Sequence, residues 1–168
     1  MEPFRFDDGS DPGRDVELEY RHFLAYPREQ VWAGLLDFVT LSRSIPGVER
    51  LDPISDDKCS IVVKVGVPLV TGTYQGTVEI IEKRPFDAYR LRGEAKGRLG
   101  WVRGEAAFHL IEQGNGTELA AKMAFQAGGM LAGVGQRLMD GVAKGMIRDF
   151  FAAFERELES SRTEGKLG

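Results

Sequence analysis

Seven short alternating segments followed by one long amphipathic segment predict an α+β fold. Its form is a curved antiparallel sheet of about seven strands wrapped around a long C-terminal helix, with two short helices after the first strand. Three observations carry this. Apolar and polar residues alternate at period two over residues 16–24 and again through most of 48–127. The links between the later segments are turns of a few residues, too short for parallel crossovers, so those strands meander. The last periodic segment, 134–160, switches to helical spacing and is apolar on all but one stripe, so a sheet has to cover it.

The elements follow in order. Val16, Leu18, Tyr20, His22 and Leu24 share one face of the first strand, with Glu17, Glu19 and Arg21 opposite and Phe23 an outward exception. Pro27 suits a first helical turn, where its missing N–H costs nothing, and 28–36 carries Val31, Trp32, Leu35 and Leu36 at helical spacing. A second helix, Phe38–Ser44, stops before Ile45-Pro46-Gly47, because the residue before a proline is pushed out of the α region. Val48–Pro53 reads as a short strand. After a turn at Asp56-Asp57, 58–67 places Cys59, Ile61, Val63 and Val65 on one face. Segment 71–83 turns Tyr74, Gly76, Val78 and Ile80 inward, and 88–96 does the same with Tyr89, Leu91, Gly93 and Ala95. Segment 99–112 offers Val102, Ala106, Phe108 and Leu110. Gly114-Asn115-Gly116 is a turn signal, and 117–127 closes the set with Leu119, Ala121, Met123 and Phe125 inside.

A glycine-rich link, 128–135, leads into the final helix. There Met139, Val142, Met146, Phe150 and Ala153 centre the apolar face, Ile147, Phe151, Phe154 and Leu158 extend it sideways, and Arg137, Lys144, Arg148, Glu155 and Glu159 form the polar stripe. Asp140, Lys144 and Arg148, at steps of four, read as a helix-stabilising ladder. Residues 1–15 are expected to form a flexible leader, 16–160 a single domain and 161–168 a flexible tail. Glycine is frequent, 21 of 168 residues against an ordinary share of about 7%. Gly76, Gly93, Gly97 and Gly104 fall inside strands, where glycine marks sharp bending or close backbone approach.

Composition narrows the function. With 22 basic and 26 acidic residues, a net charge of −4 and no basic block, a nucleic-acid partner is not expected. One cysteine, Cys59, rules out an internal disulfide framework and a cysteine-rich zinc site. No apolar run approaches the roughly 20 residues that span a bilayer, and the polar, acidic start is unlike a secretory signal. A cytoplasmic address is expected, with peripheral contact at the inner face of the membrane left open.

Five segments in order carry a family resemblance: Pro27–Trp32 (PREQVW), Ile45–Gly47 (IPG), Lys64–Val67 (KVGV), Gly72–Glu79 (GTYQGTVE) and Gly135–Val142 (GQRLMDGV), the last followed by Arg148–Ala153 (RDFFAA). Together they resemble the CoxG-like proteins, named for carbon monoxide dehydrogenase, of the START/Bet v 1 (SRPBCC) superfamily, over nearly the whole folded part. The resemblance implies a helix-grip fold with an apolar cavity between sheet and long helix. It also implies a partner enzyme, a molybdenum hydroxylase of the carbon monoxide and xanthine dehydrogenase type, which such proteins help to mature or to meet the membrane. Some members carry a C-terminal membrane anchor; the polar end Glu164–Gly168 is unlike one. The family pattern favours an apolar residue where His22 stands.

No catalytic constellation accompanies these segments. His22 and His109 belong to separate strands, and His109 is expected on the outer face with Arg103 and Glu105. No His/Cys/Asp cluster has metal spacing, and the glycine pairs near 128–135 lack the Lys-Ser/Thr of a phosphate loop. Cys59 reads as a small buried hydrophobe. Trp101, on an outward face, is either a partner contact or a cover for its neighbours. His22 is either a core histidine bonded to Tyr20 or backbone, or a polar anchor inside the cavity, able to hold a ligand carbonyl.

The expected lining of the cavity is Tyr20, His22, Val63, Tyr74, Leu91, Phe108, Met123, Phe125, Met146 and Phe150. Three functions stand. The first is non-catalytic binding of a hydrophobic small molecule, such as a bound quinone or lipid, as accessory to the oxidoreductase. The second is an assembly or recruitment factor without ligand. The third is a superfamily enzyme acting on an aromatic product, which needs an acid or base in the cavity and has only His22, Tyr20 and Tyr74 to offer.

Overall fold

The computed structural model describes residues 14–167, with side chains described over residues 17–161. Seven strands form one antiparallel sheet: β1 (Arg14–Leu24), β2 (Val48–Pro53), β3 (Lys58–Val65), β4 (Gly72–Arg84), β5 (Ala88–Gly97), β6 (Gly100–Gln113) and β7 (Gly116–Gly129). The spatial order is β1-β7-β6-β5-β4-β3-β2. Strands β2 to β7 therefore meander, and β1 closes beside β7. Helices α1 (Arg28–Leu35) and α2 (Phe38–Ser44) connect β1 to β2, and α3 (Gln136–Leu167) returns beneath the concave face.

The period-two faces expected from the sequence point inward as registered pairs: Tyr89 faces Phe108, Val63 faces Tyr74, and Ala106 faces Met123. Curvature depends on glycine at two of these positions. A Cβ on Gly76 would lie 1.7 Å from the Glu94 carbonyl oxygen, and one on Gly104 would lie 2.6 Å from the Phe125 Cβ. Such contacts are impossible for any side chain, so the sheet bends where only backbone passes. A bulge between Ile80 and Glu82 adds twist to the β4–β5 pair.

Asp37 caps α2, its carboxylate accepting from the Thr40 amide. Ile45 is extended (φ −75°, ψ 122°), the stop that Pro46 imposes. The outer sheet face is polar. Glu105, 10% exposed, accepts from both Arg90 and Arg92. Trp101 lies over Gly128, whose Cβ position is 2.1 Å from the indole, with the Arg103 guanidinium 4.9 Å from the ring centre. It thus covers its neighbours.

Four expectations need correction. The link 128–135 is not a free lead-in: β7 runs to Gly129, a 3-10 turn takes Met130–Gly133, and Val134 is extended, so α3 begins at Gln136 rather than 134. The helix also runs past 160 to Leu167, through residues expected as a tail, because no proline or β-branched run stands there to stop it. At the other end β1 starts at Arg14, pairing with Ala127, so the strand takes the last two residues of the expected leader; residues 1–13 lie outside the described residues. Finally, no ion pair among the described residues links Asp140, Lys144 and Arg148, and one Asp140 carboxylate oxygen is buried without a partner.

The core divides in two. Leu24, Val31, Trp32, Leu35, Tyr89, Leu110, Leu119, Phe151, Phe154 and Leu158 make one cluster; Leu18, Val70, Tyr74, Ala127, Leu131 and Met139 make the other. Maximal burial on α3 follows Phe151, Phe154 and Leu158. The sequence pattern centres the face on Met146, Phe150 and Ala153, which are half-buried. The apolar arc is wide enough to fit either orientation, and contact with α1 and β1 selects the one seen.

Candidate functional site

Two apolar chambers lie between the sheet and the first half of α3. The first, of about 320 Å³, is lined by residues from β3 to β7 and α3, among them Val63, Tyr74, Phe125 and Met139. Its only polar side-chain atom is the Tyr74 hydroxyl, which donates to the Val70 carbonyl at 2.7 Å. The second, of about 270 Å³, is lined by Leu35 of α1 and Phe38 and Leu41 of α2 together with residues of β3, β4 and β5. Its only polar side chains are Cys59 and Tyr89. Met146 lines both chambers, so one flexible thioether forms a shared wall.

Of the ten expected lining residues, Val63, Tyr74, Phe125 and Met146 line the first chamber, and Leu91, Phe108, Met123, Phe150 and again Met146 line the second. Tyr20 and His22 line neither. Tyr20 borders a small cleft between β1 and α3 with Lys144 and Arg148. His22 stacks on Phe151, 4.6 Å between ring centres, and its Nε2 donates to Glu155 Oε1 at 2.5 Å. The Tyr20 hydroxyl lies 3.4 Å from Nδ1. The expectation of His22 as a cavity anchor is therefore corrected. The same inward alternation that points it at α3 delivers it to the packed half of that helix, where Glu155, assigned to the polar stripe, curls back to meet it.

Sequence reasoning misses the contributions of α1, α2 and the α2–β2 link, namely Leu35, Phe38, Leu41, Ile45, Pro46 and Leu51. It also leaves out Tyr89, although the alternation of β5 already turns that residue inward. Tyr89 is 2% exposed. Its ring is stacked on Phe108 at 4.8 Å and meets Trp32 edge-on at 5.8 Å. Burial pushes its phenol well above the ordinary tyrosine range, and burial likewise raises the Cys59 thiol. Among the described residues no group of three His, Cys, Asp or Glu is placed to hold a metal ion, and no helix is long and apolar enough to cross a membrane.

A bent sheet gripping a long helix over apolar chambers defines a helix-grip protein of the START/Bet v 1-like class. The fold is shared with a START superfamily protein from Mycobacterium smegmatis, at 11% identity over 86% of this chain and 97% of the other, TM-score 0.68. It is shared too with an aromatase/cyclase from Streptomyces sp. R1128, at 16% identity over 87% and 94%, TM-score 0.63. Within that class the chain belongs to the carbon monoxide dehydrogenase CoxG family, whose sequence profile matches residues 24–159. A conserved protein from Geobacillus kaustophilus is similar at 31% identity over 87% of this chain and 97% of the other, TM-score 0.84. No curated protein matches the sequence.

Proposed function

We propose that this protein binds one lipophilic molecule without transforming it, as an accessory to a molybdenum-containing oxidoreductase of the carbon monoxide dehydrogenase type. The observation that carries the reading is the pair of apolar chambers sharing Met146. Their volumes together fall within the roughly 300–1,000 Å³ of small-molecule pockets, which are mainly apolar with few polar groups. A flat ring with an apolar tail, such as a quinone, suits two chambers joined at a flexible wall. The family supports the choice of partner. An enzyme acting on an aromatic product would need a proton-transfer group at the ligand. His22 stands outside the chambers and the Tyr74 hydroxyl is tied to the Val70 carbonyl, so neither favours that reading.

A second observation supports contact with a membrane face or an apolar protein surface. Leu69 and Met130, each 71% exposed, immediately precede Val70 and Leu131, which line the first chamber. Leu69 is held at φ 73°, a left-handed conformation that leucine rarely adopts. Two apolar side chains beside the chamber are placed to meet the surface from which a lipophile is taken or to which it is given. This fits a cytoplasmic protein working at the inner face of the membrane.

Native mass spectrometry with lipid extraction, on protein purified from its own host, tests the binding reading. A co-purifying quinone or other lipophile that raises the melting temperature is the expected result. A clean apo mass with no thermal shift from added quinones overturns it, and leaves the ligand-free assembly role, to be sought by pull-down of the oxidoreductase.

A further inference from the structure

The two edges of the sheet are defended differently. Strand order puts β1 at one edge and β2 at the other. β2 is six residues long, ends on Pro53 and exposes Glu49, Arg50 and Asp52, which are devices that keep an edge from recruiting another strand. β1 is eleven residues long, and among the described residues it pairs only with β7, so its other side presents a row of backbone N–H and C=O groups. On that side lies the small cleft between β1 and α3, of about 230 Å³. Leu18, Glu19 and Tyr20 line it from the strand and Lys144, Ile147 and Arg148 from the helix, with no residue of β7. Leu18 and Ile147 are its apolar members. Lys144 and Arg148, one helical turn apart, are exposed, and among the described residues neither has an ion-pair partner; nor has Glu17 on the outer face of β1.

We propose that the chain covers this edge with its own N-terminal segment: residues 2–8 add an antiparallel strand to the free side of β1, turn back through Gly9–Gly13, and seat Phe4 and Phe6 over the cleft beside α3. The residues ahead of Arg14 read MEPFRFDDGSDPG, and three features of them support the assignment. They alternate at period two, with Glu2, Phe4, Phe6 and Asp8 on one face and Pro3, Arg5 and Asp7 on the other. Between them and β1 stands Gly9-Ser10-Asp11-Pro12-Gly13, a run of turn formers. The charges also match. The phenylalanines have to share the inward face of Leu18, and the register that sets Phe4 opposite Leu18 leaves Ser10–Pro12 as a three-residue loop. In that register Arg5 stands opposite Glu17 on the outer face, and Glu2 stands opposite Tyr20 on the inner face, beside Lys144 and Arg148. Pro3 then belongs to an edge strand, where sheets tolerate proline. The segment lies ahead of the family match, which begins at residue 24. Its role is to close the edge against a second copy of the chain.

Residue-resolved NMR with amide hydrogen exchange on the full chain tests it. The expected result is a set of cross-strand proton contacts between residues 3–7 and 15–19, with slow exchange at the β1 amides that do not pair with β7. Phe4→Ala/Phe6→Ala should release those amides to the rate of exposed backbone, while the amides of β3 to β7 keep their protection and show that the domain stays folded. Arg5→Glu sets like charges opposite Glu17 and should lower the protection about 2- to 5-fold, the worth of one cross-strand pair. Combining it with Glu17→Arg should restore the protection, a rescue that a general loss of stability would not give.

Unprotected amides in residues 2–8 and no cross-strand contacts in the full chain would overturn the proposal. Protection of β1 that rises with protein concentration and survives Phe4→Ala/Phe6→Ala would also overturn it, and would assign the edge to β1 of a second copy. Neither outcome touches the lipophile reading, which rests on the chambers.

Discussion

The two halves of α3 do different work. Phe151 stands at a boundary, on the wall of the second chamber and in the core cluster, and beyond it Phe154 and Leu158 pack into that cluster. Phe151, Phe154 and Leu158 are 3%, 0% and 3% exposed, and Phe154 stacks on Phe150 at 5.5 Å. Before it, Val142, Ala143, Met146 and Ile147 are half-buried and face the two chambers. One continuous helix thus anchors the sheet with its second half and roofs a cavity with its first. Stability and binding are segregated along a single element, so substitutions on the two halves should fail in different ways.

The largest expected difference is between Phe154→Ala and Met146→Ala. Removing a fully buried phenylalanine costs about 3–5 kcal/mol, on the order of 10 °C in melting temperature for a chain of this size. Met146 already borders open space on two sides, so its truncation should fall below the roughly 2 kcal/mol at which packed methionines begin. Denaturant unfolding of both variants decides it. Equal losses would mean that the chambers are filled in solution. Adding volume should sort the same way. A Cβ at Gly34 of α1 would stand 3.0 Å from the Phe154 ring, so Gly34→Val should cost about 1–3 kcal/mol. Ala143→Leu, which grows into the first chamber, should leave unfolding nearly unchanged and weaken lipophile binding, as a thermal-shift titration would show.

The fold is legible in the sequence because it rests on local periodicity. Tyr89–Leu91–Gly93–Ala95 and Leu119–Ala121–Met123–Phe125 turn inward as their alternation requires, and Ile45-Pro46 ends α2 by a rule that needs no tertiary context. The site is legible only on its sheet side. Leu91, Phe108, Met123 and Phe125 follow from strand alternation, but Phe38 and Leu41 reach the second chamber because α2 packs against α3 and β2, which no periodicity encodes. His22 meets a related limit. Its inward face follows from alternation, yet the sequence does not say which part of α3 that face meets. Met146 lines both chambers, whereas Phe151, five residues on, lines the second and also packs into the core cluster, so the change from chamber to core falls within two turns of one helix.

A third difference should appear with pH. Both Cys59 and Tyr89 line the second chamber, and burial holds each proton more tightly in the folded chain than in the unfolded one. A group whose folded pKa is raised supports the fold fully below its unfolded pKa, and that support is lost as pH rises beyond it. Stability should therefore decline from about pH 8.5 for the thiol and about pH 10 for the phenol. Tyr89→Phe should remove the later part of the decline and Cys59→Ala the earlier part, in urea unfolding followed from pH 7 to 11. An identical profile in all three proteins would show that neither group titrates on unfolding.

The smallest effect belongs to a charged contact in the packed half. His22 Nε2 and Glu155 Oε1 bridge β1 and α3 at 2.5 Å, but the two side chains are 27% and 42% exposed, so water screens them. An exposed pair of this kind contributes about 0–1 kcal/mol. Glu155→Gln keeps an acceptor for the imidazole and removes only the charge, so its cost should stay below about 1 kcal/mol and shrink further in 1 M salt. His22→Ala removes in addition the ring stacked on Phe151 and should cost more than Glu155→Gln. A double-mutant cycle separates the two parts. A coupling above about 2 kcal/mol would assign the anchoring of α3 to this pair; a coupling near zero assigns it to the aromatic stack formed by Tyr20, His22 and Phe151.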